Sequence, residues 1–454
     1  MKKVLAFFLT LSLMLSVFAL PICAGETDAP SKNEASVVGY SADRITQVDL
    51  DEIPNILTYS DWDTNPPAYK ITTPEGVMQL AYAVSLGDKF EGVTVYLAND
   101  INMESVTDFS SIGRVATGFY GIFDGQGHMI ENLKADAPNS NDSAPVVALF
   151  GIMGGTVKNT IMGPGCEFKY TGSKADNRVG TFVANFDKNG VIDNCYNMAT
   201  VIGSRWAGGI ASFGIGDGNC KILNCTNAGA ISTRAKGQCL GGMIGGATSA
   251  NLTIENCRNI GSVTTLGEDI NGAAGGMVGR CWSTGLVIEG CINNGAINGG
   301  DETNSSAGAM LGCAQLVVVS VYIRNCKNYG TLTALKTGIC AKVVDATLTE
   351  ENNENLSGQT DATLADATLT YTPDFTPNEK KEESTDDVGT PNVTEKAPTP
   401  TKAPTATNAP STDAPATEAP TPAPKSGCGA SVGAAMIVLA IGGAAFMLFK
   451  KEEE

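Results

Sequence analysis

One eight-residue pattern recurs five times in this 454-residue chain and leaves few folds open to it. Its form is Asn-Cys-x-Asn-x-Gly-x-aliphatic, with copies opening at Asn194-Cys195, Asn224-Cys225, Asn256-Cys257, Gly290-Cys291 and Asn325-Cys326. The cysteines are 30, 32, 34 and 35 residues apart, a near-constant period that marks a repeat architecture. Three residues before each cysteine stands an isoleucine: Ile192, Ile222, Ile254, Ile288 and Ile323. A straight strand puts residues three apart on opposite faces, so the chain must bend if both are to point inward. Asn194, Asn224, Asn256 and Asn325 are the expected bends, because asparagine tolerates the left-handed conformation. If each repeat is one coil, equivalent residues stack about 4.8 Å apart. Asn194, Asn224, Asn256 and Asn325 then form an amide ladder, while Cys195, Cys225, Cys257, Cys291 and Cys326 fill a narrow core. A helical reading fails, since Gly and Asn recur where a helix needs better formers.

A second element recurs 12 to 16 residues before the cysteines: Gly242-Met243-Ile244-Gly245, Gly276-Met277-Val278-Gly279 and Ala309-Met310-Leu311-Gly312. These segments resemble the GLUG repeat, with Met at the Leu position and Asn-Cys where Asn-Ser is usual. Phe123-Asp124-Gly125-Gln126-Gly127-His128-Met129-Ile130-Glu131-Asn132-Leu133 is similar to the first coil of bacterial surface proteins carrying that repeat. The resemblance spans roughly Ile71 to Val344. It implies an all-β, right-handed, single-stranded parallel β-helix of the pectate-lyase kind, without implying lyase activity. Thr73-Pro74-Glu75, followed by Val77, Leu80, Ala81 and Val84 and stopped by Gly87, predicts a short helix capping the first coil.

The flanks give an address. Lys2 and Lys3, an apolar run from Val4 to Leu20 and small residues at Ala24 and Gly25 have the layout of a secretory signal peptide. Ala430 to Phe449 is apolar, uncharged and long enough to cross a bilayer. Lysines directly after it place the C-terminus in the cytoplasm. From about Thr376 to Ser426 the chain is rich in Pro, Thr and Ala, a composition that cannot bury enough apolar surface to fold. The expected organisation is a signal peptide (1–24), a polar segment (25–67), the β-helix (68–345), a disordered linker or stalk (346–427), one transmembrane helix (428–449) and a cytoplasmic tail (450–454).

A formal net charge of -18 argues against nucleic acid and anionic polymers, because phosphate binding needs basic patches. Thirteen cysteines in an exported chain suggest disulfides. Most of them fall at repeat positions, however, which fits buried reduced thiols better. His128 is the only histidine, and no nucleophile is placed beside it by motif. Glu255 and Glu289 fall in one column, which turns to Arg324 and reads as a solvated face. Asp61-Trp62-Asp63-Thr64-Asn65 imitates an EF-hand start, but Pro66 and Thr72 stand where that loop needs Gly and Glu. No catalytic residue, metal ligand or cofactor is assigned. Trp206 and Trp282 remain as candidate sugar platforms, with packing within loops as the alternative, and stand at different positions relative to the neighbouring glycines.

The expected protein is therefore a bacterial membrane-anchored, single-pass surface protein with an extracellular β-helix. It serves as an adhesin or binding module for extracellular polysaccharide, glycan or a host surface protein. A structural spacer is the alternative, and a polysaccharide-active lyase or hydrolase stands behind it.

Overall fold

One copy of the repeat shows how this sequence builds a coil. In the computed structural model, Ile192 of strand Val191–Asp193 is fully buried, Asn194 turns the chain at φ 52°, and Cys195 is fully buried in its turn. Tyr196–Asn197, Thr200–Gly203, Trp206–Gly208 and Ala211–Ile215 complete the circuit. Asn219–Leu223 then lies beside Val191–Asp193 in parallel, with Ile222 against Ile192. The left-handed turn recurs at Asn224, Asn256, Gly290 and Asn325, so the predicted bends are where the repeat placed them.

The structure describes residues 38–58, 66–114, 117–215, 218–234, 238–248, 251–265, 272–282, 285–300, 305–315 and 319–369. The signal-peptide segment, the EF-hand imitation, the Pro/Thr-rich stretch, the apolar run Ala430 to Phe449 and the tail lie outside the described residues. No described helix is long and apolar enough to cross a membrane.

Repetition of the circuit gives an all-β parallel solenoid of right-handed type with about seven complete turns. Face A has ten strands, from Ala68–Ile71 to Thr347–Glu351, and face B has nine, from Ile101–Asn102 to Glu354–Asn355. Face C has seven strands, from Lys134–Ala135 to Leu332–Thr333. Face D is creased lengthwise into two rows, one holding Trp206–Gly208 and Cys239–Gly241, the other Ala211–Ile215 and Ile244–Thr248. The Gly-Met-aliphatic-Gly elements form this crease, with Met243, Met277 and Met310 fully buried beneath it.

Two ladders run the length of the core edge. Cys195, Cys225, Cys257, Cys291 and Cys326 are fully buried, and all eleven described cysteines are free. The second ladder belongs to the other asparagine of the motif. Asn197, Asn227, Asn259, Asn293 and Asn328 have no exposed surface. Each donates its Nδ2 to the Oδ1 of the next coil's asparagine, at 2.7 to 2.8 Å, ending on Asn355. From Asn227 onward each also donates to the carbonyl two residues on, at 2.9 to 3.0 Å. That carbonyl belongs to the motif glycine. A Cβ on Gly229, Gly261, Gly295 or Gly330 would land on the carbonyl oxygen of the preceding coil, which is why the position is glycine. At the bends, Asn256 donates to Asn224 at 2.6 Å, but Asn224 donates to Asp193, Asn194 to Asn159, and Gly290 separates Asn256 from Asn325, so only one link of the predicted amide ladder forms.

Helix α1, Pro74–Ser85, stands at the N-terminal end with Val77, Leu80, Ala83 and Val84 buried, and Gly87 follows it at φ 111°. This matches the predicted cap, except that Ala83 rather than Ala81 is the buried alanine.

The expected boundaries are too narrow at both ends. Residues 38–48 are a strap along face B, where Gly39 N donates to Asn256 O, Tyr40 N to Thr226 Oγ1, Ser41 N to Asn194 Oδ1 and Val48 N to Gln126 Oε1, and the segment then reaches the first strand of face A, Pro54 O accepting from Lys70 N. The segment is held by single hydrogen bonds and a few anchors such as Ile56, so it shows no amphipathic period. At the other end the strands continue past residue 345 through Thr347–Glu351 and Glu354–Asn355. Asn352-Asn353-Glu354-Asn355 is a further copy of the motif with asparagine in the cysteine place; Asn353 accepts from Cys326 N at 3.0 Å. Residues 356–369 then fold back as a second strap, as far as Leu369 N donating to Tyr196 OH at 3.2 Å.

Arg258 joins the two straps. It is fully buried, and its Nε donates to Val38 O of the first strap at 3.1 Å. Its Nη1 reaches Asp361 at 2.6 Å and Asn294 at 3.0 Å, and its Nη2 reaches Thr363 at 2.8 Å. Burial pushes the Asp361 carboxyl up, but hydrogen bonds from Asn294, Thr363 and Arg258 outweigh it and hold it at about 2.

Candidate functional site

The crease in face D makes the outer surface concave, so residues seven apart in one coil face each other across it. In one coil Arg178 Nη1 donates to Asn185 Oδ1 at 2.6 Å; in the next, Trp206 meets Phe213 with ring centroids 4.7 Å apart. Parallel pairing stacks these coils, with Arg178 beside Trp206 and Asn185 beside Phe213. One coil on, Gly246 lies beside Phe213. A Cβ there would come within 2.7 Å of the Trp206 ring, so the missing side chain lets the indole lie down over that coil.

Trp206 and Trp282 stand in different columns, as their sequence contexts imply: Trp206 aligns with Cys239, and Trp282 with Thr248. Their rings nonetheless meet edge to face, 5.1 Å apart at 71°. The crease brings the two columns together, and Gly246 clears the space between them. Burial separates their roles. Trp206 is only 4% exposed and is a wall, not the open platform the sequence suggested, whereas Trp282 is partly exposed.

Around the pair, Asp176, Arg178, Arg205, Phe213 and Thr248 complete an open hollow of about 540 Å³. Asp176 accepts from Trp206 Nε1 at 3.1 Å and pairs with Arg205 at 3.6 Å and Arg178 at 3.8 Å. The guanidiniums also lie over aromatic faces: Arg178 is 4.6 Å from the Phe213 centroid, Arg205 5.6 Å from Trp206, and Arg280 5.1 Å from Trp282. Burial pulls the Arg178 guanidinium below its ordinary pKa, Asp176 opposing this and Arg205 adding to it. Buried Cys239, in the Trp206 column, is pushed up to about 12 by burial and stays a thiol. Aromatic faces combined with fixed donors suit a ligand that has both a stacking surface and oxygen acceptors.

The other candidates disperse. Glu255 and Glu289 do lie in register, and Glu289 pairs with Arg324 at 2.7 Å on an exposed surface, which is the solvated face expected. His128 Nδ1 lies 3.4 Å from Asp100, beside the start of face B and not on face D. The hydrogen bond from His128 holds the Asp100 carboxyl below its ordinary value. Sequence reasoning found the two tryptophans and missed the arginines. The signal lay in spacing, since Arg178 to Asn185, Trp206 to Phe213 and Ala273 to Arg280 all share the seven-residue step across the crease.

No family model matches the chain, and no curated protein matches it closely. Among solved structures it is similar to "a putative immunoglobulin A1 protease from Bacteroides ovatus", with a TM-score of 0.50 and 22% identity over 65% of this chain and 85% of that one. At that identity the likeness is one of fold.

Proposed function

We propose that this chain is a surface-presented binding module whose solenoid holds a glycan in the Trp206/Trp282 hollow. The observation that carries the reading is the meeting of Trp206 and Trp282 in one hollow lined by Arg178, Arg205 and Asp176. A pyranose ring stacks on an aromatic face while its hydroxyls bond to fixed polar groups, and partly exposed Trp282 offers such a face. The signal-peptide layout, the Pro/Thr-rich stretch and the apolar C-terminal run support presentation outside the cell on a membrane anchor. The solved neighbour carries no activity across, because parallel solenoids serve unrelated functions.

A glycan array and polysaccharide pull-down with the purified full-length chain tests this, with retained sugar and released reducing or unsaturated ends scored together. Retention without release is the expected result, and Trp282→Ala weakens it about tenfold or more, a loss of about 1.4 kcal/mol or more. Release of sugar ends would favour the lyase or hydrolase reading. A folded protein that retains nothing would favour the spacer.

A further inference from the structure

Two arginines of the solenoid are buried, and they are treated in opposite ways. Arg258 has four oxygen partners, including the carboxylate of Asp361. Arg280, only 5% exposed, has among the described residues no hydrogen-bond acceptor and no carboxylate partner, and its Nε is wholly buried and unbonded. A guanidinium held largely away from water without an anion is unfavourable, and the face of Trp282 offsets only part of that cost. Arg178 Nε is likewise buried without a partner. The one described carboxylate at the hollow, Asp176, is already shared by Arg178, Arg205 and the Trp206 indole. Among the described residues, Arg178 and Arg205 line the hollow against this one carboxylate and Arg280 lies over Trp282, an excess of positive charge on a chain of net charge -18.

We propose that the hollow selects sugars bearing a carboxylate, the acid group supplying the anion that Arg280 lacks while the ring stacks on Trp282. This rests on the glycan-binding reading and narrows it to uronic or sialic acids. Net charge excludes extended polyanions, which meet the whole acidic surface, but not a single carboxylate seated between arginines.

Titration calorimetry on the full-length chain would compare galacturonic acid with its methyl ester, and sialyllactose with lactose. Binding of one acidic sugar at least about 30-fold tighter than its neutral counterpart is expected, weakening as salt rises. Whichever acid is preferred identifies the source of the carboxylate. Arg280→Met should abolish the preference for acid. Arg205→Ala, on a half-exposed side chain, should reduce the preference in a protein whose fold is not in question. Equal binding of acidic and neutral sugars overturns the carboxylate proposal and leaves glycan binding standing. No binding to either overturns both.

Discussion

At the scale of single residues, the solenoid depends on groups that gain their value only when stacked. Asn259 is the clearest case. It receives Asn227 on one side, donates to Asn293 on the other, and closes on Gly261. Asn259→Leu would leave one N–H of the Asn227 amide and the Asn293 oxygen buried without partners, each worth about 1–3 kcal/mol. The expected loss is on the order of 3–5 kcal/mol, read as a fall in the urea midpoint at unchanged slope. The cysteines make a different prediction. Burial holds Cys225, Cys257 and Cys291 well above the ordinary thiol range, and Cys326 is raised first by its hydrogen bond to Cys291 and then by burial. Because the thiolate is the reactive form, and because none of the five ladder cysteines has exposed surface, iodoacetamide at neutral pH should leave Cys195, Cys225, Cys257, Cys291 and Cys326 unmodified in the folded chain and label them all after denaturation. Mass spectrometry of peptides before and after unfolding checks this.

At the scale of elements, sequence legibility followed periodicity. The coils, the left-handed asparagines and the capping helix were readable because each repeats or has a spacing of its own. The last coil was missed, because Asn353 replaced the cysteine used to find the others. The straps were missed for a deeper reason: they dock by isolated hydrogen bonds to side chains such as Thr226, Asn194 and Arg258, and no local pattern encodes a partner more than 100 residues away. The hollow was half legible. Both tryptophans stood out, but their meeting required the crease and the absent side chain of Gly246. The straps are testable through Arg258→Met, which leaves Asp361 buried without its cation and should cost about 3–5 kcal/mol. The pH dependence has a definite sign. The folded carboxyl sits at about 2, below its unfolded value, so the stabilisation is complete above about pH 4 and is lost as pH falls through 2. Acid titration of wild type should show this step, and Asp361→Asn should lack it.

At the scale of the whole molecule, the two straps turn an open stack into a closed one. The described chain enters face B beside Arg258, runs to the capped end, winds through every coil and returns along the same face to Tyr196. Its two ends therefore leave from the flank of the rod and not from its tips. Tension arriving beyond Leu369 is then not delivered to the last coil, whose strands Thr347–Glu351 and Glu354–Asn355 have a neighbour on one side only. The load meets the Leu369–Tyr196 contact and then the clasp around Arg258, Asn294 and Asp361, all on coils flanked on both sides. A rod gripped at its waist in this way resists unwinding from its weakest end, a property that the proposed role of an anchored binding module would use.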